Sequence, residues 1–137
     1  MILNIKCYPG ELSESEFYSH VGKYFAERKY RKEMPYLIND TDYKWVLYFK
    51  NNGELVAFYH YKFEEDTVEL GGLYVVEEYR CQGLAKRIMN GQMSFFDNYT
   101  MTTTSNNPII LKLRKKLGFV ERSKRGSYFV LEKKVGE

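Results

Sequence analysis

A chain of 137 residues that is 44% hydrophobic and 17% aromatic has the length for one domain, residues 1–137, and can bury a core without disulfides or metal. No apolar run nears the roughly 20 residues that cross a bilayer, and Met1-Ile2-Leu3-Asn4-Ile5-Lys6 lacks the basic flank and apolar stretch of a signal peptide. With Cys7 and Cys81 in neither a CxxC pair nor a His cluster, the expectation is a soluble, cytoplasmic protein with no structural metal and no membrane partner.

The net charge of +3 is unevenly spread. From Asn106 onward nine Lys or Arg face three Asp or Glu, so the C-terminal quarter suits an anionic ligand or partner, or is a solvated helix face with strand ends.

Ile2 to Cys7 alternate as a half-buried strand does, and Pro9-Gly10 stop the run. Ser13 or Ser15 caps a helix whose core face is Phe17, Val21, Tyr24 and Phe25. That helix runs through the basic stretch Arg28 to Lys32 and ends at Met34-Pro35, because proline disfavours helical geometry at the residue before it. A loop with one short helical turn reaches Asp42.

Trp45 to Lys50 and Leu55 to Phe63 are rich in aromatic and β-branched residues, and Asn51-Asn52-Gly53 between them supply positive-φ residues for a tight hairpin. The second of these strands offers an edge or packing face for another copy, leaving monomer and homodimer both open. Glu64-Glu65-Asp66 turn the chain into a strand from Val68 to Val76, where Gly71-Gly72 predict a bulge or a close backbone approach. The period then changes: Leu84, Ile88, Met89, Met93 and Phe96 mark a helix opened by Arg80-Cys81-Gln82-Gly83. Tyr99 to Thr104 is a Thr-rich strand, Pro108 to Leu117 a basic helix stopped by Gly118, and Tyr128 to Lys133 a last strand, with a further strand starting at Phe119. Hairpins in the first half and strand–helix alternation in the second predict an α/β fold on a mixed sheet.

The segment from Leu73 to Met89 carries the chemistry. A strand feeds a short loop, and the loop feeds a helix whose first turn holds Gly83 and the small Ala85, so free amides there can approach a diphosphate closely.

Arg80-x-x-Gly83-x-Ala85, directly after the fourth strand, resembles the coenzyme-binding signature of the GNAT superfamily of acyl-CoA-dependent N-acetyltransferases. Asn107, Leu113 and Lys116-Leu117-Gly118-Phe119 match the family's second signature, with Arg114 standing where it usually has tyrosine. The resemblance covers Trp45 to Phe119 well and the first helix loosely. It implies six to seven strands flanked by three to four helices, with strands four and five splayed apart so that the pantetheine arm of acetyl-CoA pairs with Leu73, Tyr74 and Val75. It further implies that the amides of Cys81, Gln82, Gly83, Leu84, Ala85 and Lys86 hold the diphosphate, and that Arg80, Asn107 and Arg114 flank the coenzyme.

The implied reaction is transfer of an acetyl or short acyl group from acetyl-CoA to an amine by direct attack on the thioester. An amine of pKa about 10.4 must first be neutralised, a cost of about 4.6 kcal/mol at pH 7. Glu69, eleven residues before Arg80, stands where histone-type members place a base that works through water. The family's tyrosine protonates the departing thiolate; Arg114 is a poor proton donor but can stabilise that charge, and Tyr99 or Tyr128 are neighbouring substitutes. Two other readings remain: a catalytically silent acyl-CoA-binding or partner-docking module, or an acyltransferase acting on a nucleic-acid-associated substrate. The latter would use Lys112, Arg114, Lys115, Lys116, Arg122, Lys124 and Arg125 as a phosphate-contacting surface.

Overall fold

The computed structural model describes residues 1–35 and 37–136. In chain order the elements are β1 (Asn4–Tyr8), α1 (Glu14–Ala26), α2 (Arg28–Glu33), β2 (Lys44–Phe49), β3 (Leu55–Glu64), β4 (Thr67–Val75), a 3-10 turn (Glu77–Tyr79), α3 (Leu84–Phe95), β5 (Thr100–Ser105), α4 (Pro108–Lys116), β6 (Val120–Arg125) and β7 (Tyr128–Lys133). The strands form one seven-stranded sheet in the order β1-β2-β3-β4-β5-β7-β6. Neighbours are antiparallel except β4 and β5, which run parallel.

Each sheet face carries its own core. Phe17, Val21 and Tyr24 of α1 pack on Trp45, Leu47 and Phe49 of β2, Phe58 of β3 and Tyr74 of β4. On the opposite face Leu84 and Ile88 of α3 meet Val46, Tyr48, Val56, Tyr59, Val68, Leu70 and Leu131. Covered on both sides, β2 and the first six residues of β3 are almost continuously buried, which explains why they read as aromatic and β-branched runs.

Local chemistry sets most boundaries. At α1, Ser13 is the cap: its Oγ accepts from the Glu16 amide at 3.2 Å, and the Glu16 carboxylate accepts from the Ser13 amide at 3.0 Å. Reciprocal bonds of this kind contribute about 1 kcal/mol to a helix start. The helix expected to run on to Met34 is instead two. Glu27 is extended, with φ −79° and ψ 134°, and α2 follows with no buried residue, so the core stripe that holds α1 ends at Tyr24. No helical turn follows Pro35 among the described residues; Tyr36, in the same expected loop, lies outside them.

Three further expectations are corrected. The first strand begins at Asn4 and is a sheet edge, leaving Ile2 and Ile5 exposed rather than alternately buried. In the turn between β2 and β3 only Gly53 takes a positive φ, 86°, whereas Asn51 and Asn52 do not. Last, β3 lies between β2 and β4, so it presents no edge to a second copy.

The feature that prepares a site is the parting of β4 from β5. They pair only from Thr67 to Leu70 against Thr100 to Thr103, and beyond Leu70 the rest of β4 is bonded to β3 alone. Among the described residues no helix is long and apolar enough to cross a membrane.

Candidate functional site

Where β4 leaves β5, it also bulges. Phe58 pairs with Tyr74 and His60 with Gly71, so Gly72 and Leu73 together oppose Tyr59. Gly72 has φ 62°. The glycines are required by the neighbouring strand, because the His60 ring lies where their side chains would be: a Cβ on Gly71 would sit 2.6 Å from His60 Cε1. That imidazole is 6% exposed, stacked on Tyr43 at 3.9 Å and set edge-on to Trp45 at 4.8 Å. Burial, with the Lys62 charge adding to it, pulls its pKa down to about 4, so it is neutral at pH 7.

After the 3-10 turn the chain makes a tight loop. Cys81 and Gly83 adopt left-handed conformations, φ 62° and 77°, and Gly83 caps α3 without a side-chain bond. The first intrahelical bond runs from the Arg87 amide to the Gly83 carbonyl at 3.0 Å, so the Leu84, Ala85 and Lys86 amides belong to the first turn and have no intrahelical acceptor. Cys81, Gln82 and Gly83 are exposed, and nothing lies within 4 Å of a Cβ built on Gly83. A helix start with open space before it and the positive end of its dipole facing outward favours negative charge.

The Arg80 side chain is engaged within the fold. Its Nε donates to the Val75 carbonyl at 2.9 Å, its guanidinium stacks on Tyr74 at 5.1 Å, and a terminal nitrogen meets the Glu33 carboxylate of α2 at 2.6 Å. Glu33 also bonds to the Tyr74 hydroxyl, and burial together with that carboxylate pushes the Tyr74 pKa up. Arg80 therefore ties the loop to α2. Asn107 likewise uses its side-chain oxygen within the fold, accepting from the Ile109 and Ile110 amides at 2.9 and 3.2 Å to cap α4.

Glu69 is half-buried on β4, on the α1 and α2 face, in register with Lys62 of β3 and Thr102 of β5. Its carboxylate is the main cause raising the Lys62 pKa, and burial followed by the same charge raises that of Tyr43. Arg114 comes to the other face. It is 2% exposed, donates to Gln92 Oε1 of α3 at 2.7 Å and lies 5.2 Å from the Phe119 ring. It is therefore no part of the expected basic surface, whose other members are exposed. Tyr99 packs at a tilt against Phe63, 4.8 Å between ring centroids, at the end where β4 and β5 are still paired, while Tyr128 opens β7 near the end of β5, on the parted side.

Sequence reasoning passed over Tyr43 and Lys62 around the bulge, Glu33 beside Arg80, and Gln92 and Tyr59 beside Arg114, and it read His60 as structural or exposed rather than catalytic; the structure makes it structural and buried. The alternation of β3 carries one usable signal: His60 and Lys62 share a face, and both lie in register with β4.

The seven-stranded mixed sheet, its parted parallel pair and the glycine-entered central helix define the acyl-CoA N-acyltransferase fold. The sequence profile of the Acetyltransferase (GNAT) family matches residues 10–119, and the chain belongs to that family. An acyl-CoA N-acyltransferase from Pseudomonas aeruginosa superposes with a TM-score of 0.72 at 15% identity, over 96% of this chain and 99% of that one. The ribosomal-protein-S18-alanine N-acetyltransferase from Escherichia coli gives 0.69 at 15%, over 99% and 96% of the two chains. The Campylobacter jejuni N-acetyltransferase PseH, in complex with acetyl coenzyme A, gives 0.64 at 19%, over 97% and 99%. At these identities the likeness is one of fold. No curated protein sequence matches the chain.

Proposed function

We propose that the protein transfers an acetyl group from acetyl-CoA to an amine by direct attack of the amine on the thioester. The observation that carries this reading is the pairing of β4 with β5 only as far as Leu70, with the open, left-handed turn of Cys81 and Gly83 just beyond. Main-chain groups of Leu73, Tyr74 and Val75 are available to the pantetheine arm on the side β5 has left, and the amides from Cys81 to Lys86 to the diphosphate. A β4 amide near Leu73 faces the thioester oxygen as negative charge gathers there. Arg80 and Asn107 shape this seat from behind, through the contacts described above.

Glu69 takes the amine's proton, directly or through water. It lies on the face opposite Arg114, so the amine enters from the α1 and α2 side and the sulfur departs on the α3 side. The Asp40 to Lys62 neighbourhood is the approach available to the acceptor, with Tyr43 and Lys62 next to the carboxylate.

Calorimetric titration with acetyl-CoA, followed by a free-thiol release assay across small amines, peptide lysines and peptide N-termini, tests the reading. Binding with amine-dependent thiol release supports it. Tight binding with no release from any amine identifies a coenzyme-binding module instead, and absence of binding refutes both. Glu69→Gln should lower turnover by roughly a hundredfold with little change in acetyl-CoA affinity; an unaltered rate removes Glu69 as the base.

A further inference from the structure

The face of the sheet that carries Glu69 is only half covered. Under α1 and α2 the strand residues of the core belong to β2, β3 and β4, with Tyr8 of β1 against them, and none comes from β5, β6 or β7. Met101 of β5 and Phe129 and Leu131 of β7 belong to the core of the opposite face, so Thr102, Thr104, Tyr128, Val130 and Glu132 alternate onto the uncovered one. Across from Tyr128 and Val130 in β6 stand Arg125 and Ser123. Glu69 is in register with Thr102, and Thr102 with Glu132. An open platform therefore begins one strand from the carboxylate.

Two groups of cations border this platform where β4 and β5 have parted. α2 is held over the parted stretch of β4, since Tyr30 meets the Tyr74 ring at 6.3 Å and Glu33 grips Arg80. Its Arg28, Lys29, Arg31 and Lys32 are exposed, and none forms an ion pair among the described residues. At the same end of the sheet, on the far side of the gap, Arg125 is exposed and also without an ion pair. Nearer the base the sign changes. Asp40 and Glu69 both act on Lys62 and Tyr43, so two carboxylates and one ammonium surround the approach to Glu69. A negative centre bordered by unpaired cations is the complement of an amine with carboxylates around it. A continuous phosphate backbone fits less well, because Glu27, Glu33 and Glu132 are interleaved with these cations.

We propose that the acceptor amine is carried on a peptide segment with acidic residues beside it, laid over the β5–β7–β6 platform, and that the cations of α2 and Arg125 receive its carboxylates. This names the acceptor of the acetyl-transfer reading above and rests on that reading. In the row of Glu69, β7 lies two strand spacings away, about 10 Å, which an extended peptide covers in about three residues. The residues read are those within that reach of the amine. The transfer step is unchanged: the C–N bond forms, the C–S bond breaks with its electron pair on sulfur, and Glu69 takes the amine's proton.

The test measures free-thiol release from acetyl-CoA with N-blocked heptapeptides, each holding one central lysine among four glutamates, four serines or four arginines, and with matching sets whose acceptor is a free amino terminus. At low salt the glutamate peptide of the better set should exceed the arginine peptide about tenfold or more in kcat/KM, through KM, with serine between; about 0.5 M salt should shrink the ratio to about twofold. Arg28→Glu combined with Lys32→Glu, and separately Arg125→Glu, should each lower the ratio about threefold or more, with acetyl-CoA affinity within about twofold to certify the fold. Should the α2 variant not fold, Arg125→Glu decides. A ratio of one or less, or a ratio that survives these variants, overturns the proposal, while thiol release itself leaves the acetyl-transfer reading standing. Free glutamate used as well as the acidic peptide, or a single-stranded oligonucleotide that competes better than polyglutamate of equal charge, overturns the peptide as occupant. Acetyl-CoA binding with no release from any acceptor overturns the acetyl-transfer reading and this proposal with it.

Discussion

Gly72 and Gly83 share a positive φ, 62° and 77°, and have opposite surroundings. In front of Gly72 stands the His60 ring, whose Nε2 would be 2.6 Å from an added Cβ; in front of Gly83 there is nothing within 4 Å. The missing side chain of the first is filled by the protein itself, and that of the second is left for something else. Two glycines that look alike in sequence therefore serve different ends. One sets the shape of the strand, and the other keeps a helix start open.

The contrast is broken most severely at Gly72. Gly72→Ala places a Cβ on an imidazole that cannot retreat, since it is stacked on Tyr43 and braced by Trp45. Overpacking and left-handed strain together should cost roughly 3 kcal/mol, read as a lower denaturation midpoint. Repeating it in a His60→Ala background should return the packing part and leave only the strain.

His60 sharpens the same side through pH. Its folded pKa of about 4 lies below the ordinary 6.5, so the unfolded chain binds more protons between those values. Stability is complete above about pH 6.5 and falls as pH drops toward 4, by roughly 3 kcal/mol. Unfolding curves collected from pH 7 to 4 should show this loss in the wild type, and a His60→Phe variant should lack that component.

At Gly83 the effect moves from stability to binding. Gly83→Trp should cost about 1 kcal/mol of stability, from strain alone, yet weaken acetyl-CoA binding roughly a hundredfold or more, about 2.7 kcal/mol. Unchanged affinity would remove the diphosphate from this turn. The smallest effect is expected at Glu33→Gln, which keeps the volume and deletes the charge that Arg80 grips. An ion pair this exposed contributes at most about 1 kcal/mol, so coenzyme affinity should fall only a few-fold.

What was legible beforehand was local. The Arg80 to Ala85 turn, the Gly71-Gly72 bulge and the strand–helix order follow from residues a few positions apart. The break at Glu27 was not legible, because the helical stretch continues in composition while its buried face stops at Tyr24. Nor was the turning of Arg80 toward Glu33, 47 residues distant, or the burial of Arg114 beside Gln92, 22 residues distant.

By itself the amino-acid order determined the mixed α/β architecture, the acyltransferase resemblance and the place of the glycine turn that opens α3, since hydrophobic period and glycine conformation act over one or two turns of chain. The tertiary structure decided which side chains face the opening and which face the core. That choice depends on strand register and on where helices land on the sheet, and it put His60 into the glycine gap, aimed Arg80 at α2 and buried Arg114 beside Gln92.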